Sequence, residues 1–178
     1  MNILITILLV LAGIVVLFLL IALLVKKDFS LQKEIVINCL KVEVFNFIKM
    51  IRNQEQYSVW VMKDPNIKIV YAGTDGTPGF TSSWESNDKN VGIGEQEIKK
   101  IKEVESMEVE IRFKKPFEAT NHALTTVTDS ANGQTKVTSL FYGRSKFPMN
   151  FMNLFMDKLV GKDMHQNLVN LKNKLEGK

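Results

Sequence analysis

Residues 149–175 read MNFMNLFMDKLVGKDMHQNLVNLKNKL, and the fold follows from how this stretch is buried. Its apolar side chains recur at steps of three and four residues and form one stripe: Phe151, Leu154, Phe155, Leu159, Met164, Leu168, Leu171 and Leu175. This spacing predicts a long amphipathic helix, with Gly161 as the point where a kink would fall. Because the stripe has to be buried, the rest of the chain must supply a surface of comparable length.

That surface is a predicted antiparallel sheet. Residues 105–113 alternate, with Met107, Val109, Ile111 and Phe113 on one face and charged residues on the other, as in a half-buried strand. Further strands are predicted at residues 32–39, 67–72, 80–86, 94–102, 118–128 and 134–145, and Asn132-Gly133 is a favoured hairpin pair. A helix is predicted at residues 42–51, followed by a broken helical stretch. The predicted fold class is therefore α+β, with about six to seven strands curved around the C-terminal helix.

A separate run of apolar residues lies near the start of the chain. Residues 3–25 contain no charge, and as a helix they would span about 34 Å, against about 30 Å of bilayer hydrocarbon. A cleaved signal peptide would need a basic start, a shorter apolar run and a small-residue cleavage site, whereas Lys26-Lys27-Asp28-Phe29 follows here. The segment is predicted to be a single-pass transmembrane anchor. The expected division is anchor 3–25, linker 26–30 and one folded domain at 31–176.

Charge and cysteine content bear on location and partners. Lys26 and Lys27 follow the predicted transmembrane anchor, so the positive-inside rule places the domain on the cytoplasmic side. The single cysteine, Cys39, cannot form an internal disulfide, which agrees with that side. The formal net charge is only +4 and the lysines are dispersed, so no nucleic-acid partner is expected.

Several short patterns, in this order, resemble the polyketide cyclase/START-like superfamily, also called SRPBCC, with the helix-grip fold of the Bet v 1 type. The resemblance covers nearly all of residues 31–176 and no part of residues 3–25. It implies the fold and, less strongly, an apolar ligand cavity under the long helix, because the superfamily includes lipid carriers, cyclases, stress-related binders and co-chaperone-like modules. The patterns are Ile35-Val36-Ile37-Asn38, Val44-Phe45-Asn46-Phe47-Ile48, Trp60 with Asp64-Pro65, Gly79 with Trp84, VGIGEQ at 91–96, FKKPF at 113–117, TKVT at 135–138 and MDKLVGKD at 156–163.

The sequence offers no catalytic constellation. His122 and His165 are isolated from any suitable partner, and no cluster at ligand spacing predicts a metal site or another cofactor. Val91-Gly92-Ile93-Gly94 follows a turn and opens a strand, whereas a dinucleotide-binding loop opens a helix. No catalytic residue is therefore assigned.

The aromatic residues instead indicate a concave, mostly apolar cavity between the sheet and the long helix. The candidate lining residues are Trp60, Trp84, Phe113, Phe117, Phe141, Tyr142, Phe151, Phe155 and Arg144. Three functions are open, in this order of preference. The first is a membrane-tethered module that binds a lipid or another hydrophobic small molecule. The second is a cyclase or hydrolase on a hydrophobic substrate, which needs an ionisable pair facing the cavity. The third is an interaction or stress-response module without a small ligand, which needs a closed core and an exposed apolar patch.

Overall fold

The computed structural model describes residues 2–177. One long helix, α1 (Ile3–Leu24), precedes the sheet and has its side chains almost entirely exposed. The first strand is followed by α2 (Lys41–Ile48), a 3₁₀ turn (Ile51–Gln56) and α3 (Val59–Lys63). The chain ends with a 3₁₀ helix (Met149–Phe155), a π-helical turn (Asp157–Gly161) and α4 (Lys162–Leu175). The strands are β1 (Asp28–Ile37), β2 (Lys68–Ala72), β3 (Thr81–Glu85), β4 (Ile93–Lys102), β5 (Ser106–Lys115), β6 (Ala119–Asp129) and β7 (Thr135–Arg144).

The strands form one antiparallel sheet in the order β1-β7-β6-β5-β4-β3-β2. Strand β7 returns beside β1, so the C-terminal helical region follows from the strand next to one edge of the sheet. Two register irregularities between β4 and β5, at Ile93/Gly94 and Ile98/Lys100, are the kind that bend a sheet. The predicted α+β helix-grip architecture, with a curved sheet around a C-terminal helix, is confirmed.

The concave face of the sheet carries the core. The register forms one row of side chains across this face, because it pairs each of four residues with the next. The row consists of Ile98 on β4, Val109 on β5, Ala123 on β6 and Phe141 on β7. At one end of this face Phe45 of α2 and the α4 stripe are buried against the sheet. Truncating a core side chain as buried as Phe45 to alanine would cost about 3–5 kcal/mol.

The predicted single helix at residues 149–175 is regular only from Lys162 onward. Its first part is a 3₁₀ helix, in which the side chains of Asn150 and Asn153 donate hydrogen bonds to backbone carbonyls at and just after the end of α1. The π-helical turn falls at Gly161, where an added Cβ would lie 2.3 Å from the Asp157 carboxylate. Contacts with α1 therefore explain why the amphipathic spacing does not give one continuous α-helix.

The start of the sheet lies closer to α1 than the expected linker at 26–30 allows. Strand β1 begins at Asp28, which pairs with Arg144 at the end of β7, and the Phe29 ring packs on Phe141 with centroids 5.5 Å apart. These contacts extend the strand backwards, so that only residues 25–27 separate α1 from the sheet.

Candidate ligand cavity

A cavity of about 440 Å³ lies between the concave face of the sheet and the helices. Its floor includes the apolar face of β5, from Met107 to Phe113, and Met164 and Leu168 of α4 close it from above. Trp60 of α3 and Trp84 of β3 also line it. The volume falls within the range of ordinary small-molecule sites, and the lining is mostly apolar.

Small side chains in the middle of the sheet explain why this space stays open. Ala123 and Thr125 of β6 and Ser139 of β7 line the cavity at positions where large residues would fill it. Gly94 of β4 has a related role, because an added Cβ would lie 2.5 Å from the Trp84 ring. The absence of a side chain at Gly94 therefore leaves room for the Trp84 ring.

Polar groups line one side of the cavity and satisfy one another. The Gln96 amide donates to the Gln54 side-chain oxygen at 2.7 Å, and the Tyr71 hydroxyl donates to the Glu55 carboxylate. Burial, followed by the hydrogen bond to Glu55, raises the pKa of Tyr71 well above its usual range. Burial alone raises the pKa of Tyr57 in the same way. Both phenols are therefore neutral, and the Tyr71 hydroxyl acts as a hydrogen-bond donor.

Exposed lining residues mark the mouth of the cavity. Lys63, Asn90 and Leu159 are exposed and lie on three different segments, and the exposed Glu55 also lines the cavity. Hydrogen bonds of Asp64 hold the segment of Lys63 beside the turn that contains Asn90. The Lys63 ammonium forms a 2.5 Å ion pair with Asp163, which links α3 to α4 across this opening.

A buried carboxylate holds two loops together beside the mouth. Asp64 accepts hydrogen bonds from the Ser86 hydroxyl at 2.5 Å and from the backbone amides of Asn66 and Asn87. These bonds, the one from Ser86 first, hold the pKa of Asp64 below its usual range. The side chain thus fixes the turn after α3 against the turn between β3 and β4.

The structure brings four of the nine candidate residues to the cavity: Trp60, Trp84, Phe113 and Phe141. Trp84 and Phe113 meet edge to face, with ring centroids 5.9 Å apart. Trp60 lies on α3, close to the mouth, and Phe141 lies on β7 beside Ala123. These four come from four different elements.

The other five candidates lie outside the cavity, for reasons of face and register. Tyr142 and Arg144 are on the convex face of β7, where Tyr142 donates to Glu108 at 2.7 Å and Arg144 pairs with Asp28 at 3.0 Å. Phe117 lies in the turn between β5 and β6 and is 69% exposed. Phe151 packs on Phe18 of α1 and on Phe155, so both rings lie towards α1 and away from the sheet.

Sequence reasoning missed the polar wall of the cavity. Tyr71 was detectable in principle, because residues 67–72 alternate and place it on the same face as Ile69. Gln54 and Tyr57 lie in and after a 3₁₀ turn, which has no strong periodic signal. The helical spacing predicts Leu159 as part of the buried stripe, whereas it lies in the π-helical turn and is an exposed lining residue.

The charged residues of the convex face form a separate cluster. The Arg112 guanidinium bonds Glu95 at 2.7 Å, Glu97 at 2.9 Å and also Glu110. The bond from Arg112 is the main cause that lowers the pKa of Glu95. His122 stacks on Tyr142 in the same region, and among residues 2–177 no group of three or more His, Cys, Asp or Glu side chains is arranged to hold a metal ion.

Comparison with solved structures gives several similar folds. Ara h 8.0201 aligns over 81% of this chain and 98% of its own, with 15% identity and a TM-score of 0.52. Truncated norcoclaurine synthase from Thalictrum flavum aligns over 83% and 93%, with 8% identity and a TM-score of 0.63. The di-domain ARO/CYC protein BexL from the BE-7585A biosynthetic pathway aligns over 83% and 46%, with 14% identity and a TM-score of 0.59.

The sheet, the C-terminal helix and these similarities define a helix-grip domain. The chain has the SRPBCC, or polyketide cyclase-like, fold of the Bet v 1 type, preceded by a long apolar helix near the N-terminus. The resemblance drawn from the sequence is confirmed for the fold. No protein-family model and no curated protein matches the sequence.

Proposed function

We propose that this chain is a membrane-anchored helix-grip domain that binds a lipid or another hydrophobic small molecule between the sheet and the C-terminal helix. The observation that carries the proposal is the cavity of about 440 Å³, with a mostly apolar lining and an open mouth. An apolar ligand in this space would remove both its own surface and the cavity wall from water, at about 25 cal/mol per Å².

The anchor supports a lipid-derived ligand. Helix α1 has 22 residues, which as a helix span about 33 Å, enough to cross the hydrocarbon core of a bilayer. Only residues 25–27 separate it from the sheet, so the cavity is held within a few nanometres of the membrane. The two lysines that follow α1 favour a cytoplasmic domain.

The two tryptophans of the chain, Trp60 and Trp84, both line the cavity and so report on its contents. The full chain would be titrated in nanodiscs with dibromostearate, whose bromine atoms quench tryptophan only near contact. We expect saturable quenching, which unbrominated stearate reverses by competition. Quenching that rises linearly with probe and resists competition would contradict the proposal, because it would report partition into the bilayer alone.

A second candidate, an enzyme acting on a hydrophobic substrate, is favoured by the ionisable pairs Lys63–Asp163 and Tyr71–Glu55 in the lining. Ligand binding ranks first because each pair is satisfied internally, and neither leaves a free base aimed at the cavity. Turnover of a bound hydrophobic ester that is lost in Asp163→Asn, with binding unchanged, would reverse this ranking.

A further inference from the structure

We infer that the end of the domain next to α1 inserts into the surface of the bilayer, so that the cavity opens directly onto the lipid. We call this end the anchor end: it contains the start of β1, the end of β7 and the turn between β5 and β6, which the strand register places together. The inference rests on the proposed function in one respect, namely that α1 spans the membrane.

The first step is the rigid connection between α1 and the residues that follow β7. Asn150 is fully buried and its amide donates to the carbonyls of Ala22 at 2.6 Å and Val25 at 2.8 Å. Asn153 donates to the carbonyls of Lys26 and Lys27, both at 3.0 Å. Asn150 thereby satisfies carbonyls that the end of a helix leaves without partners, and the Lys27 carbonyl also accepts from the backbone amide of Ser145. The domain is therefore fixed to α1 by specific hydrogen bonds as well as by the chain.

The second step is depth. The Phe151 ring packs against Phe18 of α1, with centroids 5.0 Å apart. Phe18 lies six residues before Leu24, the last residue of α1, which is about 9 Å along the helix axis. Interfacial helices bury their apolar faces about 5–10 Å into the boundary between headgroups and acyl chains. A spanning α1 that ends at this boundary holds Phe151 at that depth.

The third step is the exposed apolar surface around this contact. We call residues 147–159 the apolar segment. Phe147, Met149, Met152, Leu154, Phe155 and Leu159 within it are all exposed. The exposed Phe117 lies in the β5–β6 turn at the same end of the sheet. An apolar surface of this kind, continuous with the exposed side of α1, is suited to lipid.

The fourth step is charge. Six lysines lie at the anchor end, in the apolar segment or beside that segment, and none of them has an ion-pair partner among residues 2–177. They are Lys26, Lys27, Lys115, Lys146, Lys158 and Lys162. Elsewhere most lysines hold a carboxylate, as in the pairs of Lys41 with Asp129 and Lys136 with Glu34. At the anchor end Asp28 pairs with Arg144, and in or beside the apolar segment Asp157 pairs with Lys33 and Asp163 with Lys63. The exposed Glu118 of the β5–β6 turn has no ion-pair partner in the described part of the chain, but the unpaired lysines outnumber it. Free lysines around an apolar surface fit anionic lipid headgroups.

The last step connects this surface to the cavity. Leu159 is 52% exposed as the end of the apolar segment and also lines the cavity mouth. A ligand that leaves the bilayer beside Leu159 would enter the cavity without crossing water. The proposed occupant of the anchor end is thus a bilayer containing anionic lipid, and a second copy of the chain is the alternative that the experiment excludes.

The test compares two leucines of equal exposure at opposite ends of the domain. Leu154 is 58% exposed in the apolar segment, and Leu40 is 56% exposed beyond the far end of β1. In a Cys39→Ala background of the full chain, Leu154→Cys or Leu40→Cys would carry an environment-sensitive NBD label. The proteins would be reconstituted in vesicles of equal parts phosphatidylcholine and phosphatidylglycerol.

For Leu154→Cys we expect blue-shifted emission that nitroxide-labelled lipid quenches and aqueous iodide does not, and for Leu40→Cys the reverse. Similar lipid quenching at both positions would overturn the inference. So would a blue-shifted Leu154 label that lipid does not quench in a chain that sediments as a dimer, because a second copy would then cover the surface. Equal quenching of the Leu154 label in phosphatidylcholine alone would overturn the role given to the lysines.

These outcomes are separable from those of the ligand experiment, because the label reports position without any ligand. Lipid quenching at Leu154 with no saturable dibromostearate binding would support the docking and contradict the ligand proposal. In a second comparison, Leu154→Glu is expected to slow dibromostearate uptake from vesicles relative to Leu40→Glu, with the same amount bound at saturation. Equal uptake rates would overturn the direct route from lipid to cavity.

Discussion

Filling the cavity is the most informative perturbation of this protein. Ala123 lies on the cavity-lining face of β6, between Val109 and Phe141 in register, so Ala123→Phe places a phenyl ring in the open space. A benzene-sized site occupies about 150 Å³, which is about a third of the 440 Å³ available. The ring would displace about 150 Å² of ligand contact, which corresponds to about 4 kcal/mol, or roughly 500-fold in Kd.

The assay is the quenching of Trp60 and Trp84 by dibromostearate in the full chain. Thr120→Phe is the matched control, because Thr120 is exposed on the opposite face of the same strand. We expect the control to bind as the unchanged protein does, and Ala123→Phe to lose most binding while its Tm stays close to that of the control. Undiminished affinity in a folded Ala123→Phe protein would refute the assignment of the ligand to this cavity.

Three further predictions concern the structure around the cavity and the convex face of the sheet. Because the pKa of Asp64 is lowered on folding, its stabilisation is present above the ordinary pKa near 4 and is lost as the pH falls through the lower folded value. Asp64→Asn should therefore lower the Tm at neutral pH and make the Tm depend less on pH in acid. A Tm profile unchanged by this substitution would contradict the role of the hydrogen bond from Ser86. Gly94→Ala should destabilise the fold by about 1–3 kcal/mol and alter the fluorescence emission of Trp84, because the new methyl group would clash with the Trp84 ring. Unchanged thermal unfolding would contradict the close packing of Trp84 on Gly94. Arg112→Ala should lower the stability by about 1–2 kcal/mol after solvent screening. The loss should be larger at neutral pH than in acid, because the lowered pKa of Glu95 means that the pair is lost as the pH falls; an equal loss in Tm at both pH values would count against the ion-pair cluster.

The elements that were predictable from sequence have local periodicity. The alternation through β5 placed Phe113 on the core face, and the register with Gly94 and Trp84 then completed that part of the cavity. The three- and four-residue spacing of the last helix predicted α4 and its buried Leu168 in the same way. In these cases each residue's environment repeats with the period of its own element.

The differences between the predicted lining and the cavity have nonlocal causes. Residue type alone favours a cavity position for Tyr142 and Arg144, but their register in β7 places them on the convex face. Phe151 and Phe155 belong to the helical spacing, yet α1 takes this part of the stripe away from the sheet. The carbonyls that Asn150 caps are more than a hundred residues distant in sequence, and no local pattern indicates such a contact.

The proposed function depends most directly on whether the cavity holds an apolar molecule. Native mass spectrometry of the full chain, released from detergent micelles after mild purification, measures this for a ligand of any identity. We expect a single adduct of lipid or fatty-acid mass, or uptake of one added stearate, and the loss of either in Ala123→Phe but not in Thr120→Phe. A bare chain mass that stays unchanged on addition of hydrophobic molecules would contradict the presence of a ligand site in this cavity.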